Sequence, residues 1–147
     1  MAERLYPTFD IPVSSGMSDR DVEQRFLPTP LFDFELGDFV RDGQNRVVMV
    51  DGRDGFILWV LKMMETQQGA CLAYLDRGVD AEGAMAEDSR AATQSALERT
   101  ITEAVLSHPC AERVYDFEYE WDADSVHVSF TVKPKAWAAF NAEMTIV

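Results

Sequence analysis

The sequence predicts an α+β fold, in which a small, mainly antiparallel sheet packs with two helices between an extended N-terminal arm and a C-terminal tail. Two middle stretches space their apolar residues as a helix does, and two later ones alternate apolar and polar residues around a short turn. Strands joined as hairpins, rather than alternating with helices, place the α and β parts side by side. At 147 residues the chain has room for one core. The expected organisation is an arm at 1–30, an α+β domain at 31–133 and an interaction tail at 134–147.

The arm carries Pro7, Pro12, Pro28 and Pro30, with Ser14-Ser15-Gly16 between them and no sustained period. Proline fixes its own φ and biases its predecessor toward extended backbone. The arm's apolar residues, Phe9, Ile11, Phe26 and Leu27 among them, are too frequent for a solvated linker. It either packs on its own domain or docks on a neighbouring subunit. Residues 31–36 and 46–50 then read as two short strands of a hairpin around Asp42-Gly43. Phe56, Trp59, Val60, Met63 and Met64 form the stripe of a core-facing helix, which Ile57, Leu58 and Leu61 widen nearly all round. Asp51 or Asp54 is its expected cap. Residues 69–74 are a short apolar segment, and 76–88 an acidic surface loop.

A second helix is expected over 89–108, with Leu97, Ile101, Ala104, Val105 and His108 on one face and Pro109 as its stop. Strand 114–121 puts Tyr115, Phe117, Tyr119 and Trp121 on one side, and strand 126–132 does so with Val126, Val128, Phe130 and Val132. Asp122-Ala123-Asp124-Ser125 turns between them. Residues 136–140, with Trp137 and Phe140, read as a helical turn before a last apolar strand, Met144-Thr145-Ile146-Val147. An exposed strand of that kind must be covered, by its own sheet or by a neighbour.

Asp and Glu number 26 against 13 Lys and Arg, a net charge of −13. Such a surface repels phosphate backbones and anionic lipid heads, so neither nucleic acid nor a membrane is an expected partner. No apolar run approaches the roughly 20 residues of a bilayer span. The first residues also lack a signal peptide's pattern, so the expected setting is the cytoplasm. Cys71 and Cys110 read as thiols, Cys71 as a small structural hydrophobe. His108 and Cys110 lack a second pair at metal spacing, and His108 is expected on the helix's last carbonyls. Asp116, Glu118 and Glu120 share a strand face, most simply a solvated one opposite the aromatics. The alternative is the acid pair of a small carboxylate-dependent peptidoglycan hydrolase. No phosphate loop, EF-hand or nucleophile elbow occurs, so neither cofactor nor metal is expected. What remains is an acidic binding or assembly module. Within it, Arg113 in Glu112-Arg113-Val114 is expected to form a structural ion pair where the second helix meets the strand.

Several stretches resemble a known family: Phe32-Asp33-Phe34-Glu35, Val50-Asp51-Gly52, Leu61-Lys62-Met63-Met64-Glu65-Thr66, Tyr74 with Gly78, and Leu97 through Leu106 of the second helix. Glu112-Arg113-Val114-Tyr115-Asp116-Phe117 and Val128-Ser129-Phe130-Thr131-Val132 complete the set. Their order is similar to the baseplate wedge and sheath-initiator family of contractile phage tails and related injection particles, in its short prophage branch. Much of that family has Glu-Pro-Arg before the penultimate strand. Here Ala111-Glu112-Arg113 keeps the arginine and lacks the proline. The resemblance implies a non-enzymatic structural protein, assembled in the host cytoplasm into a tail baseplate. Its partners would be other wedge proteins, the tail sheath protein, and tube or hub proteins. It further implies sheath initiation by strand addition, for which Thr145, Ile146 and Val147 are the candidate strand.

Overall fold

A computed structural model describes residues 28–147 of the chain. The α+β class is borne out, and every pairing between named strands is antiparallel. Four two-residue strands come first: β1 Thr29–Pro30, β2 Phe32–Asp33, β3 Asp38–Phe39 and β4 Met49–Val50. Helix α1 Gly52–Met64 follows, then a short α2 Ala81–Met85 and a long α3 Arg90–Leu106. Strands β5 Ala111–Asp122, β6 Ser125–Pro134 and β7 Phe140–Ile146 form one three-stranded sheet in that order.

The expected hairpin of 31–36 with 46–50 is replaced by something smaller. The Asp33 carboxylate accepts from the backbone N–H of Glu35 and Leu36, at 2.9 and 3.1 Å, and this Asx turn ends the strand before Leu36. The chain doubles back, so β1 pairs with β4 and β2 with β3. Three main-chain bonds close a ring between the segments. Leu31 N donates to Val48 O at 2.9 Å, Val48 N to Val40 O at 2.9 Å, and Val40 N to Leu31 O at 3.0 Å. The Asp42 turn is real: its carboxylate accepts from the N–H groups of Arg46 and Gln44, bonds that hold it below the usual carboxylate range.

The core lies elsewhere, between α1, α3 and the β5–β6–β7 sheet. Phe56, Val60, Leu97, Ile101, Val105, Val126, Val128 and Val132 are fully buried. Both helical stripes therefore point where their periodicity requires, with α1 meeting β7 and α3 lying on β5. Ser89 caps α3, its hydroxyl accepting from Ala92 N at 3.2 Å. Asp51 occupies the corresponding position of α1 without a side-chain cap bond, contrary to its expected role.

Three further expectations are corrected. The loop at 76–88 contains α2, whose Asp80 side chain accepts from Gly83 N. Residues 136–139 form a bend and irregular backbone, not a helical turn, and Phe140 already opens β7; the Lys133 ammonium donates to the carbonyls of Pro134 and Trp137 and gathers the chain around itself. The aromatic side of β5 is broken by a bulge: Tyr115 pairs with Thr131 and Glu118 with Ser129, so two residues, Asp116 and Phe117, face Phe130 alone. Asp116 takes φ 55° to make it. Val114, Phe117, Tyr119 and Trp121 consequently pack on the core, and Tyr115 turns to the other side.

Candidate functional site

The bulge decides what the three acids of β5 can do. Asp116 and Glu118 border an open hollow of about 550 Å³ on the outer sheet face, with Ser129, Thr131 and Asn141 across from them. Thr131 Oγ1 donates to Asn141 Oδ1 at 3.0 Å. Asp116, Glu118 and Glu120 are all exposed. A glycosidase pair needs one apolar and one polar environment to separate its acid from its base; Phe117 and Phe130 also line the hollow, but all three carboxylates are exposed to solvent, and none is enclosed in an apolar setting. Alongside, the His127 ring bridges β7, 2.9 Å from Thr145 Oγ1 and 3.4 Å from the Glu143 carboxylate. Such contacts knit two strands together.

Arg113 and Glu112 are exposed at the start of β5. The expected ion pair of Arg113 is not formed among the described residues. Its guanidinium lies over the Tyr115 ring, 4.5 Å from the centroid, on the side to which the bulge turned that ring. Arginine stacked on tyrosine, both accessible, is a composition that interfaces favour.

Trp137 and Phe140 join an aromatic cluster around Phe56, with ring centroids at 6.2 and 6.0 Å. Arg53 closes it from outside, over Phe140 at 5.8 Å and donating to Ala138 O at 3.3 Å. Both aromatics are thus packing residues. In β7 the alternation is regular: Ala142, Met144 and Ile146 point into the core, and Asn141, Glu143 and Thr145 point out. Of the two coverings left open for the chain end, its own sheet provides one, since Ile146 pairs with Val126 and Met144 with Val128. Val147 is fully exposed beyond the last pair. The other edge of β7 has no strand partner among the described residues. Phe9, Ile11, Phe26 and Leu27 lie outside the described residues.

His108 differs from its expected role. Its Nδ1 accepts from Cys110 N at 3.0 Å, and its ring sits 4.6 Å from that of Trp59. Burial, aided by the nearby Arg77 cation, lowers its pKa below the ordinary histidine value. Cys71, expected to be a structural hydrophobe, is exposed, whereas Cys110 is buried. Sequence reasoning also missed that Leu72, Tyr74 and Leu75 face solvent. The only available signal was an apolar run flanked by Gly69 and Gly78 with no helical or strand period.

Among the described residues, no group of three or more His, Cys, Asp or Glu is arranged to hold a metal, and no helix is long and apolar enough to cross a membrane. The family model for the contractile injection system sheath initiator matches residues 29–135, more than half of the chain. No curated protein matches the sequence.

Proposed function

The chain belongs to the sheath initiator family of contractile injection systems, and from that premise we propose that it is a structural baseplate component that joins wedge proteins near the tail tube and starts sheath assembly. The observation that carries the finer reading is the outer edge of β7. That strand is seven residues long, is secured on its inner side by β6, and has no strand along its other side among the described residues. A sheath segment adding there finds main-chain donors and acceptors already aligned, with alternate side chains setting the register. The exposed Arg113 and the half-buried Tyr115, at the far end of the sheet order on β5, suit a second contact with a wedge neighbour.

Hydrogen exchange on the full chain, alone and with the sheath protein, tests the reading. Added protection confined to amides of β7 is expected. Unchanged β7 exchange in a complex that does form overturns strand addition. The exposed, unpolarised setting of Asp116 and Glu118 supports a non-enzymatic role. Turbidity of a peptidoglycan suspension should therefore stay constant with the protein present; clearing that disappears in Glu118→Gln would reverse that conclusion.

A further inference from the structure

Between α1 and α2 the chain forms an Ω-loop over residues 67–79. Its ends meet in a parallel bridge of Gln67 with Val79, where Gln68 N donates to Val79 O at 3.1 Å and Val79 N to Thr66 O at 2.9 Å. Inside, Ala70 N donates to Gln67 O, Tyr74 N to Cys71 O and Arg77 N to Tyr74 O, at 3.0–3.2 Å. Gly78 seals the closure at φ 100°, since a Cβ there would lie 2.2 Å from Thr66 O. Backbone bonds order the inside of this loop, and at its closure Val79 is buried in the core and the Gln67 side chain donates to Asp80 at 3.1 Å. Three large apolar side chains between those ends are nonetheless turned outward: Leu72 is 90% exposed, and Tyr74 and Leu75 are 57% exposed. Folding gains nothing from that arrangement.

Against α1 the loop encloses a groove of about 360 Å³, lined by Trp59, Lys62, Met63, Cys71, Tyr74 and Arg77. Its charged lining is two cations, in a chain whose net charge is −13. The Arg77 guanidinium lies 5.5 Å over the Tyr74 ring, which orients it at the rim. We propose that this groove docks an acidic segment with an apolar anchor, offered by a neighbouring protein of the particle. The anchor fills the space over Trp59 and Met63, Leu72 and Leu75 close beside it, and its carboxylates meet Lys62 and Arg77. Two copies of this chain repel one another through their like net charge, which favours a different protein as the occupant. The inference rests on the assembly role proposed above.

Cys71 reports occupancy directly, with Cys110, 2% exposed, as an internal reference. Alkylation by iodoacetamide, quantified by mass spectrometry, should be rapid at Cys71 in the purified full chain and about tenfold slower in assembled particles. The Lys62→Glu/Arg77→Glu double variant, and separately Leu72→Ser, should melt as the wild type does and be depleted about tenfold from particles formed in competition with it. Cys71 modified in particles at the free-chain rate overturns the docking and leaves the assembly role standing. Equal incorporation of both variants does the same. Protection already present in the monomer means that the chain covers its own groove, and protection that grows with protein concentration means that a second copy does; either overturns the proposal. Wild type missing from particles overturns the assembly role and this inference together.

Discussion

His108 is held uncharged by its surroundings, and this sets a pH dependence whose sign can be worked out. Its pKa is lowered in the fold, first by burial and then by Arg77, so between the unfolded value near 6.5 and the lower folded one the unfolded chain binds the extra proton. The stability it contributes is complete above about pH 6.5, falls as the pH drops below that, and is gone once the folded value is passed. Protonating Nδ1 would also remove the acceptor for Cys110 N. Melting temperatures between pH 7 and 5 should fall more steeply for the wild type than for His108→Asn, which cannot titrate. At Asp116 the issue is backbone strain. A non-glycine residue at φ 55° costs about 1 kcal/mol. Asp116→Gly should thus raise the urea midpoint, by up to about 1 kcal/mol in stability, and Asp116→Val should lower it by about 1–2 kcal/mol. Alternation along β5 was legible in the sequence, but the bulge was not, because nothing in Val114-Tyr115-Asp116-Phe117 marks which residue leaves the register. The pairing with β6 decides it, and with it the side on which Tyr115 lies.

Among the elements, the two long helices were the most legible, since each needs only its own stripe of apolar residues to be recognised. Their caps differ in a measurable way. Ser89→Ala should cost about 1 kcal/mol because it strips Ala92 N of its acceptor, whereas Asp51→Ala, at a position with no side-chain cap bond, should cost only about a few tenths. Denaturant titration of both variants separates them. The four short strands were poorly legible, because two-residue ladders have no period and depend on the Leu31, Val40 and Val48 ring, which joins residues far apart in sequence. The Ω-loop was missed for a related reason: an apolar run is normally read as buried, and here backbone bonds order it instead. Gly78→Ala should break the closure, releasing the Val79 amide to fast hydrogen exchange while the α3 amides stay protected.

For the whole molecule, the consequence lies in how the last residues share the core. Met144 and Ile146 are 7% and 8% exposed and pack with Val126, Val128 and Phe130. Removing residues 143–147 takes out two buried side chains at about 2–5 kcal/mol each, a large share of a small domain's total of about 5–15 kcal/mol. Far-UV circular dichroism during heating should show that truncation melting well below the wild type, and removal of Val147 alone changing nothing. The strand whose free edge is proposed for strand addition is therefore also a wall of the core. Sequence alternation indicated the strand and its inward row; which neighbour paired with it was a question of topology that the local pattern does not contain.

The ring of Leu31, Val40 and Val48 gains a mechanical meaning in a device that contracts. Among the described residues, the core takes no buried apolar side chain from before Phe56. Tension applied through the chain before Pro28 reaches the three ring bonds and the two-residue ladders first, and α1 only after they have opened. Pulled from that end, the segment before the core would act as a fuse, releasing a length of slack at low load while the β5–β6–β7 sheet stays intact until that slack is spent.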